Sequence, residues 1–130
     1  MLLRLQPAPM TNYRQARLFL RTWIDAGGEF AAKANARIIV RLQESSGPVC
    51  LRVKLTTDSK DLTKIYLPVR IGHADIYMAG MSIACDREVG AKRTLQFILP
   101  AGYAGRRIRV DPIRNAGRLA DLTIETGTTN

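Results

Sequence analysis

The chain has 130 residues, enough for one ordinary domain and too few for two. Apolar residues make up 46% and charged residues 24%, and 20 Lys and Arg against 11 Asp and Glu leave a formal charge of +9. That is the profile of a globular domain with no membrane-spanning helix, since no apolar run approaches roughly 18 residues, and the charge points to polyanions: nucleic acid, acidic glycan or anionic lipid.

Residues 1–10, interrupted by Pro7 and Pro9, read as a flexible lead. The stretch is too short and too proline-broken for a signal peptide. Thr11 to Phe30 is ambiguous. Tyr13, Ala16, Phe19, Leu20, Trp23 and Ile24 fit one face of a short N-terminal helix that Thr11 could cap. The same stretch also alternates, and Phe19-Leu20-Arg21-Thr22-Trp23-Ile24 favours the pleated surface, so a strand is preferred. After residue 36 the period is two. Ile38, Val40 and Leu42 oppose Arg37 and Arg41, and Val49, Leu51, Val53 and Leu55 oppose Cys50, Arg52 and Lys54. Ile65, Leu67, Val69 and Ile71 oppose Lys64, Tyr66, Pro68 and Arg70. Ile108 and Val110 oppose Arg107 and Arg109, and Leu122 and Ile124 oppose Asp121, Thr123 and Glu125. This is the half-buried strand pattern. Ile76–Cys85 and Thr94–Leu99 are more uniformly apolar, as strands covered on both sides would be. Pro68 should sit on an edge strand.

Turn signals fall at 44–48, 57–61, 72–75, 86–90, 100–105 and 111–117. Short strands between such turns predict an all-β fold, an antiparallel β-sandwich over residues 11–126 with a loose tail at 127–130.

The basic residues are 15 Arg and 5 Lys. Arg suits planar, bidentate contact with phosphate, sulfate or carboxylate. Outward strand positions hold Arg37, Arg41, Arg52, Lys54, Lys64, Arg70, Arg107 and Arg109, whereas the acids gather mostly in turns. If one sheet presents these cations together, its face is a positive patch. If two sheets divide them, no single patch forms.

Little points to catalysis. His73 is the only histidine, and Cys50 and Cys85 lack metal-ligand spacing, so no metal or cofactor is expected and the cysteines read as free thiols. Phosphate-loop, dinucleotide and nucleophile-elbow motifs are absent from the sequence. Trp23 and Tyr103 lie near turns, where an aromatic ring could stack on a sugar or a base. The outward strand positions are otherwise Arg and Lys, which favours backbone contact over base readout.

Two stretches carry a resemblance. Arg106-Arg-Ile-Arg-Val-Asp-Pro-Ile-Arg-Asn-Ala-Gly-Arg-Leu-Ala-Asp-Leu-Thr-Ile-Glu125 resembles the closing hairpin of β-sandwich accessory domains of bacterial surface-polysaccharide glycosyltransferases, and Leu18–Phe30 is similar to their opening strand and Gly-rich turn. The likeness covers about a third of the chain and implies a jelly-roll-like, carbohydrate-binding sandwich. The expected function is a non-catalytic module for carbohydrate or another polyanion. Its candidate binding residues are Trp23, Arg37, Arg41, Arg52, Lys54, Arg70, Tyr103, Arg107 and Arg109. The alternatives are a nucleic-acid binder contacting phosphates and a self-associating virion or appendage subunit. The corresponding compartments are the cytoplasm or an assembled particle.

Overall fold

The structure is a computed structural model, and it describes residues 10–21, 31–32, 37–83, 87–113 and 117–129. The described residues are all-β. The strands are β1 (Thr11–Gln15), β2 (Arg17–Arg21), β3 (Ala31–Ala32), β4 (Ile38–Arg41), β5 (Val49–Thr57), β6 (Thr63–Ile71), β7 (Ala74–Ile83), β8 (Arg87–Val89), β9 (Lys92–Ile98), β10 (Arg107–Asp111) and β11 (Gly117–Thr128).

They form two antiparallel sheets. The first runs β1-β11-β5-β9-β8, with β3 paired to one end of β11, and the second runs β2-β4-β10-β6-β7. The chain passes back and forth between them, so β11 is inserted between β1 and β5 and β10 between β4 and β6. That interleaving is jelly-roll connectivity, with β2 and β8 added at the flanks. The sequence expectation of an antiparallel sandwich therefore holds, and the segment that could have begun as a helix is strand from Thr11 to Arg21 apart from Ala16.

The core lies between the sheets. Leu51, Val53, Leu55, Leu95, Phe97, Leu119 and Ile124 from the first sheet meet Ile38, Val40, Ile65, Leu67, Met81, Ile108 and Val110 from the second. On β4 and β10, on β5 at Leu51, Val53 and Leu55, and on β6 at Ile65 and Leu67, these are inward positions that the period-two pattern nominated. Burying an aliphatic or aromatic side chain contributes about 1.5–3 kcal/mol, so this double row is the main stabilising term.

Several local expectations change. Val69 and Ile71, expected inward on β6, are exposed, and Cys50, expected outward on β5, is buried. Strand β9 was expected to be covered on both faces but alternates, with Leu95 and Phe97 buried and Thr94, Gln96 and Ile98 half-buried. Strand β7 was expected to be covered on both faces, but it forms the free edge of the second sheet, with Ile76 and Met78 exposed. Pro68 lies on β6, an interior strand. It is tolerated there because the β6–β7 register shifts between Leu67 and Pro68, and an irregularity of this kind accepts a residue without an amide hydrogen. Residues 87–89, inside the turn signal at 86–90, form β8, and the turn shrinks to Gly90-Ala91, with Gly90 at φ 61°. The tail was expected to be loose from residue 127, yet Gly127 pairs with Cys50 and Thr128 pairs with both Val49 and Thr11. The ladder continues because β5 and β1 still flank that end of β11 and accept its backbone groups.

Candidate polyanion-binding face

Among the described residues, the outer face of the second sheet gathers a group of cations. Register places Arg17 on β2 opposite Arg41 on β4, and Arg41 opposite Arg107 on β10. Neighbouring strands are about 4.8 Å apart, so three guanidinium side chains rise from one row across three strands. All three are exposed. They face outward because their neighbours Val40 and Ile108 are fully buried. Arg37, also exposed, immediately precedes β4.

The next row contains Ile39, Arg109, Tyr66 and Gly80. Arg109 donates from Nε to Asp111 Oδ1 at 2.8 Å and from Nη2 to Oδ2 at 2.7 Å. These hydrogen bonds hold its pKa above the ordinary guanidinium value, against a smaller opposing effect of burial. The same guanidinium stacks 4.3 Å from the centre of the Tyr66 ring, and Lys64 Nζ lies 5.4 Å from it. Gly80 makes room for this cluster: a Cβ there would fall 2.8 Å from both Lys64 Cε and Tyr66 Cε1. Arg70 lies further out on β6, exposed and level with Asp75. Nearby, Arg106 stacks 5.1 Å from the Tyr103 ring centre and reaches Asp75 at 3.9 Å. Tyr103 itself packs partly against the core.

Arg52 and Lys54 stand on the opposite side of the molecule. They rise from β5 in the first sheet and converge on Glu125 of β11. Arg52 forks the carboxylate at 2.9 and 2.8 Å, Lys54 approaches to 3.7 Å, and Arg52 also stacks 4.0 Å from the Tyr13 ring centre. The Arg52 hydrogen bonds push Glu125 below its ordinary pKa, overcoming the opposing effect of burial. The nominated cations therefore do not form one patch. Arg41, Arg70, Arg107 and Arg109 belong to one sheet, with Arg37 just before its strand β4, Arg52 and Lys54 belong to the other, and Trp23 lies outside the described residues.

The placement of acids also differs from expectation. Asp111 ends β10, Asp75 lies on β7 and Glu88 on β8, where they meet Arg109, Arg106 and Arg93. Sequence reasoning did not nominate Arg17 or Arg93. The place of Arg17 beside Arg41 is a matter of register. Arg93 shares the inward parity of Leu95 and Phe97 and is 8% exposed. It donates to the carbonyl oxygens of Asp61 (2.7 Å) and Ser59, so its charge holds the 58–61 loop. Together with Lys60, Leu62, Thr63 and Glu88 it lines a cleft of about 210 Å³ at the end of the sandwich. Cys50 is a free, buried thiol whose pKa burial raises, which makes it a poor nucleophile; Cys85 lies outside the described residues.

Comparison with protein-family models, curated proteins and solved structures finds no match.

Proposed function

We propose that this chain is a non-catalytic jelly-roll module that binds an acidic polymer on the outer face of the β2-β4-β10-β6-β7 sheet. The observation that carries the reading is the row Arg17–Arg41–Arg107, with Arg37 just before β4 and Lys64 on β6. Several guanidinium groups on one exposed face raise the local positive potential, and Arg suits bidentate contact with phosphate, sulfate or carboxylate, which supports attraction of an acidic polymer to this face. The tyrosines favour contact with phosphate, sulfate or carboxylate over stacking on bases or sugars. Tyr13, Tyr66 and Tyr103 each already hold a guanidinium over the ring. The candidate ligands are thus a nucleic-acid backbone and an acidic glycan, recognised through the same chemistry.

The test compares single-stranded DNA, duplex DNA and a sulfated glycan at two salt concentrations. For DNA, log affinity should fall linearly with log salt, by roughly 0.7–0.9 per phosphate neutralised. Arg41→Glu with Arg107→Glu should weaken binding at least about tenfold and flatten the slope. Lys54→Glu with Lys92→Glu, on the first sheet, should change it far less. Equal loss from either pair, or no binding at about 50 mM salt to any of the three polymers, overturns the reading.

A further inference from the structure

We infer that the free edge of the second sheet, strand β7, pairs antiparallel with β7 of a second copy of this chain. The inference is independent of the polyanion reading and starts from the sheet edges.

An unprotected edge strand presents a row of unpaired amide and carbonyl groups, and proteins blunt such edges with charge, shortness or irregularity. Among the described residues the two sheets end in four edge strands, and three of them are blunted. Strand β1 has a register break between Thr11 and Arg14, with Asn12 at φ 48°. Strand β2 carries the exposed Arg17 and its own register break between Leu18 and Leu20. Strand β8 has only three residues, two of them Arg87 and Glu88. Strand β7 differs. It is ten residues long, ADIYMAGMSI, with no Lys, Arg or Pro, and Asp75 near its start is its one acid. Its single interruption is the register shift opposite Leu67 and Pro68, which leaves Met78 as an extra residue. That side chain is exposed and adds no charge to the edge.

The same hairpin concentrates exposed apolar surface. Among the described residues seven large hydrophobic side chains are exposed, and Val69, Ile71, Ile76 and Met78 are four of them. Such clustering marks an interaction surface.

Charge selects a second copy as the occupant. The chain carries +9, so copies repel across most of their surfaces. The 76–83 stretch of β7 has no charged side chain and lets two copies approach with their cations held apart. A polyanion finds no cation on this strand, and a basic partner finds only Asp75. Antiparallel pairing of a segment with itself is isologous and closes at two copies. Its two-fold axis runs perpendicular to the sheet. The sheet is thereby doubled, and both cationic faces lie on the same side of the dimer.

The experiment is sedimentation equilibrium on the full chain, treated with nuclease and held in about 0.5 M salt so that no polyanion bridges the copies. Between about 1 and about 300 µM the unmodified chain should pass reversibly from monomer to dimer. Ile76→Lys with Met78→Lys should stay monomeric with an unchanged β-sheet circular dichroism spectrum. Val89→Lys, on the exposed β8 edge, should dimerise like the unmodified chain. As a measurement that needs no variant, hydrogen-exchange protection of β7 amides should rise about tenfold with concentration while that of β8 stays constant. A monomer throughout the range, or a dimer that persists in the folded double-lysine variant, overturns the inference. Because no polyanion is present, neither outcome bears on ligand binding.

Discussion

Glu125 shows how one side chain can reverse the meaning of a charge count. Read as an outward strand position, it stands among cations. In the fold it is the acceptor for Arg52 and Lys54 and is held below its ordinary pKa by Arg52. The unfolded carboxyl titrates near about 4.3. A depressed folded value stabilises the protein above that pH, and the contribution disappears as pH falls through the folded value. Glu125→Gln should therefore cost about 1–2 kcal/mol at neutral pH, and the difference from the unmodified chain should shrink in urea melts below about pH 4. Arg93 makes the complementary case. Its guanidinium is buried and serves loop carbonyls. Arg93→Ala leaves those oxygens without their donor and should lower stability by about 2–3 kcal/mol in chemical denaturation. Arg93→Lys should recover little, because one ammonium cannot reproduce the planar fork. Neither role is visible in residue type alone, since both depend on partners 73 and 32 to 34 positions away.

Strand β11 makes the same point for an element. Its register against β5 shifts between Ala120 and Thr123. This lets Leu119 and Ile124, five positions apart, both enter the core, although strict alternation puts them on opposite faces. The period-two pattern identified the inward Ile124 but had no means of locating the shift. Further along, Gly127 lies under β1. A Cβ there would come within 2.7 Å of Met10 Cγ, 2.8 Å of the Thr11 carbonyl oxygen and 2.9 Å of Tyr13 Cβ. Gly127→Ala should push β1 off the sheet edge at a cost of about 1–3 kcal/mol. Amide exchange at Thr11 to Ala16 should accelerate while the β5–β9 ladder stays protected. The sequence Thr-Gly-Thr-Thr-Asn has the composition of a frayed end. Pairing on both sides of β11 overrides that preference.

For the molecule as a whole, the decisive fact is that two sheets divide the outward cations. On the first sheet Arg52 and Lys54 share Glu125, while the second sheet sets Arg17, Arg41 and Arg107 side by side. If the outer face of the second sheet binds the polymer, charge reversal there should weaken binding more than charge reversal on the first sheet, and β7 lysine substitutions should act on assembly without touching either face. The sequence by itself determined the fold class and most of the core, because an alternating strand with one apolar side has one way to bury it. It also determined which cations point outward on β4, β5, β6 and β10. Only the tertiary structure decided which of those cations are neighbours, which edge stays open and which charges are already neutralised. Side-chain periodicity is a property of a few consecutive residues, whereas strand order and register are set by packing between segments that the chain holds far apart.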